Sequence, residues 1–173
     1  MAHRNQHDKD GESFKRGSEA EKLFKSLILK KGWACEEASK ALEQKHVDFI
    51  VTEPSKVPRK IEVKARKKVN RSDSGVDDNI IYVEFKNVAG YAGWIYGESD
   101  IIAFEQSDHF LLVNRLALLD LCKKLVKFDQ KVDRPTLYKV YTRFGRADVV
   151  SMIKVVDIIT NLQPKKQYVM LRK

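Results

Sequence analysis

His46-Val47-Asp48-Phe49-Ile50-Val51 is followed, after a turn holding Pro54 and Pro58, by Lys60-Ile61-Glu62-Val63-Lys64-Ala65. Val47 to Val51 and Lys60 to Ala65 read as short buried strands that carry charge inside apolar runs. A buried charge is costly unless a partner or a metal balances it. Two carboxylates meeting at one point repel, and a divalent cation removes that repulsion. Lys64, two residues after Glu62, points to the same strand face. Asp48, Glu62 and the main-chain carbonyl of Val63 would give a partial oxygen cage suited to Mg2+ or Mn2+, which keeps several waters. Lys64 would position a water or stabilise developing charge. The set suits hydrolysis of a phosphodiester. The spacing Asp-x13-Glu-x-Lys uses common residues, so a second reading stands beside it: Asp48 ends a strand and Glu62 pairs with Lys64 or Arg66 at a sheet edge.

The charge around this stretch is uneven. The chain of 173 residues has a net charge of +9. Residues 54–72 hold eight Lys/Arg against Glu62 alone, whereas 73–108 hold eight acidic residues against Lys86 alone. Arg59, Lys60, Arg66, Lys67, Lys68 and Arg71 are therefore predicted to guide a nucleic-acid backbone, with a solvated basic loop as the plainer reading. The length fits a single domain over 15–173 with a flexible tail over 1–14. No apolar run is long enough to span a membrane, and Met1 to Asp10 has no signal-peptide character. Cys35 and Cys122 lie far apart and read as reduced thiols of a cytoplasmic protein. No HExxH, CxxC, GxxxxGK[ST] or GxSxG motif occurs, so zinc, P-loop and serine-hydrolase chemistry lose support.

Periodicity orders the rest. Ala20, Leu23, Phe24, Leu27 and Ile28 predict a helix after Gly17-Ser18, stopped by Gly32. Residues 34–45 give no assignment. Ile80 to Phe85, Asp100 to Phe104, His109 to Val113 and Val149 to Ile153 read as strands. Thr136 to Arg143 alternates, Leu116 to Val126 is helical, and Lys154 to Asn161 is a terminal helical turn. The plan is mixed α/β with a central sheet.

Arg16-Gly17-Ser18-Glu19-Ala20-Glu21, Gly32-Trp33, Lys45 to Ile50 and Ile61 to Lys68 together resemble the PD-(D/E)XK nuclease core, and within it the archaeal-type Holliday junction resolvases. The likeness covers roughly residues 15–68. Gly17 and Glu21 match the glycine and glutamate that open the family's first helix. Val47-Asp48-Phe49 and Glu62-Val63-Lys64 match its two catalytic strands. Ala41-Leu42-Glu43-Gln44 stands where resolvases carry a serine loop. The resemblance implies a restriction-endonuclease-like core (αβββαβ) with a mixed sheet flanked by helices. It implies Mg2+ held by Asp48 and Glu62, with Glu21 assisting and Lys64 catalytic. The implied activity is metal-dependent endonuclease cleavage of DNA, structure-selective for junction or branched DNA in recombination or repair, by a homodimer. The alternative is a catalytically inactive nuclease-fold module that binds DNA or RNA. A third reading is a protein-interaction subunit.

Several residues carry two readings. Ser18 to Glu21 forms a capping box, which would occupy Glu21 without a metal. Tyr82-Val83-Glu84-Phe85-Lys86 repeats the Glu-x-Lys pattern and would take Asp48 or Asp77 as its partner. Its other reading is a half-buried strand. Asn87 to Gly97 mixes glycines with Tyr91, Trp94 and Tyr96, fitting either base stacking or a kinked turn whose aromatics fill the core. Arg143, Arg146 and Lys154 would extend a phosphate-binding face or stay solvated. His46 shares the face of Asp48 by strand alternation and would reach the metal site or make a surface hydrogen bond.

Overall fold

The computed structural model describes residues 11–67 and 75–173. Lys68 and Arg71, residues 1–10 of the proposed tail over 1–14, and half of the polar loop assigned to 66–79 lie outside the described residues. The chain separates into two compact units. The first comprises Met1–Arg66, Glu98–Val113 and Val169–Lys173, and the second Lys67–Gly97 and Asn114–Tyr168. Each unit is built around its own sheet.

In the first unit, helix α1 (Glu12–Lys30) buries Ala20, Phe24, Leu27 and Ile28 along one face, as the periodicity predicts. Gly32 ends it at φ +74°. Trp33 N–H reaches Ile28 O at 3.3 Å and Gly32 N–H reaches Leu29 O at 2.9 Å, the paired bonds of a Schellman stop. The start differs from expectation. The helix opens at Glu12 on Gly11, so Ser18 lies inside it and caps nothing. Nothing in Phe14-Lys15-Arg16 breaks a helix, and Gly17 alone is too weak a breaker to set the boundary. Glu21 is thereby released from the capping box. Gly17 is an interior glycine with open space where a methyl group would stand. Gly17→Ala is expected to stabilise the protein by about 0.5–1 kcal/mol, read as a higher midpoint in thermal or urea melts.

Strands β1 (Ala34–Glu37), β2 (Phe49–Thr52) and β3 (Arg59–Lys64) form an antiparallel meander, with a short helix α2 (Lys40–Glu43) between β1 and β2. After β4 (Ile80–Lys86), which belongs to the second unit, β5 (Ile101–Glu105) returns to lie parallel to β3. β6 (His109–Asn114) and β10 (Tyr168–Arg172) complete a six-stranded sheet in the order β1-β2-β3-β5-β6-β10. Phe49, Val51, Ile61, Val63, Ala103 and Phe110 pack with the buried face of α1. The Phe24 ring meets Phe110 edge-on at 5.4 Å.

The second unit holds β4, helix α3 (Arg115–Leu125), β7 (Lys127–Val132), β8 (Lys139–Tyr141), β9 (Val149–Lys154) and helix α4 (Val155–Leu162). Its sheet runs β4-β9-β8-β7. Asn114 caps α3 by accepting from Ala117 N–H at 2.9 Å. β4 buries Ile81, Val83 and Phe85, so the repeated Glu-x-Lys there is the outer face of a half-buried strand. A 3-10 turn (Trp94–Tyr96) follows, with Trp94 and Ile95 buried. Gly93 lies so close to β4 that a methyl group would collide with the Glu84 carbonyl. Only glycine fits there, which accounts for one glycine of the aromatic segment.

The whole is a mixed α/β protein with mixed sheets and packed helices. The expected αβββαβ order is interrupted by the short α2 between β1 and β2, and it departs again after β3. β4 and a 3-10 turn, not an α-helix, occupy the stretch between β3 and β5. The alternation of Ile81, Val83 and Phe85 commits that stretch to a strand.

Candidate active site

The β2–β3 register pairs Phe49 with Ile61 and Ile50 with Lys60. One step further places Asp48 opposite Glu62. Asp48 N–H donates to Ile61 O at 2.8 Å. Its carboxylate turns onto β3 and accepts from Val63 N–H at 2.7 Å. Phe49, Val51, Ile61 and Val63 take the core face, so Asp48, Glu62 and Lys64 share the other. Glu62 is buried, 4% exposed. Its Oε1 forms an ion pair with Lys64 Nζ. His46 Nδ1 lies 3.8 Å from the same oxygen.

The sequence reading placed His46 by strand alternation, and the structure corrects the route. His46 is not in a strand but at φ +62° in the turn after α2. His46 N–H bonds Glu43 O at 3.0 Å and Val47 N–H bonds Leu42 O at 3.1 Å. This second Schellman turn delivers the imidazole to Glu62. Histidine tolerates the left-handed region better than most residues, and no periodicity signals its use here.

The electrostatics separate the three carboxylates. Burial pushes Asp48 up to about 7, with the Glu62 charge adding to the rise and Lys64 opposing it. Burial alone would raise Glu62 as well, but Lys64 and His46 together hold it below the ordinary glutamate range. Glu21, on α1, is raised by burial and by the Glu62 charge, which brings it within electrostatic reach of the pair. The site thus has one ionised glutamate balanced by an ammonium, beside an aspartate that protonates near neutrality.

Among the described residues, no group of three or more His, Cys, Asp or Glu side chains is gathered to hold a metal. The donor set that does exist is hard: two opposed carboxylates and a strand carbonyl. An extended residue projects N–H and C=O to the same side. Val63, whose N–H meets Asp48, therefore sends its carbonyl that way too. Mg2+ is commonly held by one or two carboxylates with waters completing the octahedron, so the residues fit it.

The basic residues are divided rather than gathered. Arg59 is exposed at the start of β3, about 16 Å along the strand from Lys64. Lys60 Nζ lies 3.6 Å from the Glu98 carboxylate, which also takes Lys45 at 2.8 Å. The main-chain N–H of Lys60 donates to Asp100 at 2.8 Å. Arg66 is half-buried with its N–H on Glu105 at 3.3 Å, and Lys67 is exposed. Arg66 and Lys67 follow Lys64 after Ala65, so they stand past the carboxylate end of β3 while Arg59 and Lys60 stand at the other. Glu84 and Lys86 belong to the second unit's sheet. Asp77 closes a local turn with Asn79 N–H at 2.8 Å.

The fold and the site define a mixed α/β protein in which a buried glutamate, paired with a half-buried lysine, faces an aspartate across two antiparallel strands. No family model, no curated protein and no solved structure matches the chain.

Proposed function

We propose that this chain is a Mg2+-dependent endonuclease of the PD-(D/E)XK type that hydrolyses phosphodiester bonds in DNA. The observation that carries the reading is Asp48 standing opposite Glu62 with Lys64 on the Glu62 carboxylate. The β1-β2-β3 meander with β5 parallel to β3 supports it as the restriction-endonuclease-like part of the fold. Asp48, Glu62 and the Val63 carbonyl would hold the metal. Bound there, Mg2+ would supply an activated water and charge neutralisation at the phosphoryl group. Lys64 stands two residues along the same face to orient that water and stabilise negative charge. His46 and Lys64 keep Glu62 ionised, the form a cation needs. Glu21 adds negative potential from α1.

The decisive experiment offers duplex, branched and single-stranded DNA to the purified protein with and without Mg2+ or Mn2+. Cleavage is expected only with metal, and it is expected to vanish in Glu62→Ala. A folded Glu62→Ala protein that still cuts would overturn the assignment. Preference for a junction over linear duplex would add the structure-selective role in recombination or repair.

A second reading is favoured by one observation: Lys64 already occupies the Glu62 carboxylate. On it, the protein binds nucleic acid without cutting. Mn2+ titration separates the two by melting temperature. A metal bound at about 100 times its Kd stabilises the native state by about 2.7 kcal/mol, and the non-cleaving module shows no shift.

A further inference from the structure

Phe144 and Tyr91 are the two most exposed aromatic side chains among the described residues, at 105% and 73%. Phe144 stands at the tip of the hairpin joining β8 to β9. Arg146 N–H closes the turn onto Arg143 O at 3.1 Å, and Gly145 takes φ +69° at the third position, where a left-handed residue is required. The base of the hairpin is pinned. Asp148 is fully buried and accepts from Arg143 N–H at 3.1 Å, and its other oxygen pairs with the Arg143 guanidinium. A buried carboxylate satisfied in this way ties the turn to the sheet beneath it, so the ring is presented on a fixed support.

Tyr91 sits on a loop in contact with this hairpin. Ala147 N–H donates to Val88 O at 3.3 Å, and a methyl group on Gly90 would lie 3.4 Å from Ala147 Cβ. Asn87 braces that loop, its Oδ1 accepting from Ala89 and Tyr91 N–H at 3.0 and 3.1 Å. The unit that carries both loops is basic in composition. The second unit holds sixteen Lys/Arg and nine Asp/Glu, so it carries +7 of the chain's +9.

We propose that Phe144 and Tyr91 form a stacking platform for unpaired nucleotides of a nucleic-acid strand, flanked by Arg143 and Arg146. Every base has a π face, so an exposed ring binds single strands without reading sequence, and paired bases offer it no face. Arginines beside the ring offer planar guanidinium faces to a base, Arg143 while its charge is balanced by Asp148. A membrane-inserting tip would instead gather aliphatic side chains around the aromatic, and Thr142, Arg143, Gly145 and Arg146 stand here. The inference rests on the nucleic-acid part of the proposed function and not on hydrolysis.

The test uses the full chain in EDTA, with anisotropy of labelled oligothymidylate, labelled duplex and anionic phosphatidylserine vesicles as three arms. Phe144→Ala is expected to weaken single-strand binding about 5- to 150-fold, since stacking contributes about 1–3 kcal/mol per base, and to leave duplex binding and the melting temperature in place. Phe144→Trp should restore binding, with indole emission quenched as the strand is added. Phe144→Leu, apolar without a π face, should not restore it. Equal single-strand binding by wild type and Phe144→Ala overturns the platform, as does an equal loss on duplex. Vesicle binding that depends on Phe144 while oligothymidylate binding does not would assign the tip to a membrane surface instead and overturn it too. Because the readout is binding without metal, absent cleavage removes only the hydrolytic reading, and an absent Phe144 effect removes only this one.

Discussion

Lys64→Ala is expected to slow DNA cleavage by about 10²- to 10³-fold, the usual loss when one positioned charge-stabilising group is removed. It should also destabilise the fold by about 3 kcal/mol, because Glu62 is left buried without its ammonium partner. In the wild type the Glu62 pKa lies below its ordinary value, so the pair adds stability above the unfolded glutamate pKa. That stability is lost as pH falls through the depressed folded value. Without Lys64 the sign reverses: burial raises Glu62, and the variant should recover stability on mild acidification. The double variant Lys64→Ala with Glu62→Gln should melt near the wild-type temperature and still fail to cut. A cycle of urea melts on the two single variants and the double isolates the coupling. Wild-type cleavage by Lys64→Ala would remove the lysine from the chemistry.

The second large effect runs the opposite way. Asp48→Asn is expected to abolish metal-dependent cleavage while stabilising the metal-free protein at pH 8. Folded Asp48 has its pKa raised to about 7, against an ordinary value of 3.8. A carboxyl raised in this way binds its proton more tightly in the native state. Its ionisation therefore costs stability that begins to be lost above pH 4 and is fully lost above pH 7. At about 1.36 kcal/mol per unit, the relief from Asp48→Asn reaches at most about 4 kcal/mol at pH 8 and shrinks to nothing near pH 4. Asparagine keeps an oxygen for the Val63 N–H, so the strand contact survives. Melts of both proteins across pH 4 to 8 measure the crossover. A variant that loses stability at pH 8 would show that Asp48 is held charged for structural reasons.

Stability gained by disarming a group is the expected mark of a functional carboxylate. Cys35 and Cys122 carry no such mark. Burial raises their pKa to about 11 and about 12, leaving inert thiols.

The two charged strands were legible because an apolar alternation interrupted by Asp48, Glu62 and Lys64 has few structural explanations. Gly32 as a helix stop was legible for the same local reason. Strands β1, β7 and β10 were not. Ala34-Cys35-Glu36-Glu37 buries only Cys35, and the Lys127–Val132 strand buries no residue fully, so neither shows a period to read. The capping box at Ser18 misled because a four-residue pattern is silent about the helix that continues before it. The basic segment 54–72 looked continuous in sequence, yet β3 extends through it and carries its two halves apart.

By itself the sequence determined which residues alternate between core and charge, and so which side chains share a strand face. Those are consequences of backbone periodicity over a few residues. Only the tertiary structure decided that Asp48 faces Glu62, that a left-handed turn brings His46 to the same carboxylate, and that the Glu84–Lys86 repeat belongs to another sheet. Strand register, turn geometry and unit membership depend on hydrogen bonds between segments distant in the chain, and no local pattern encodes them.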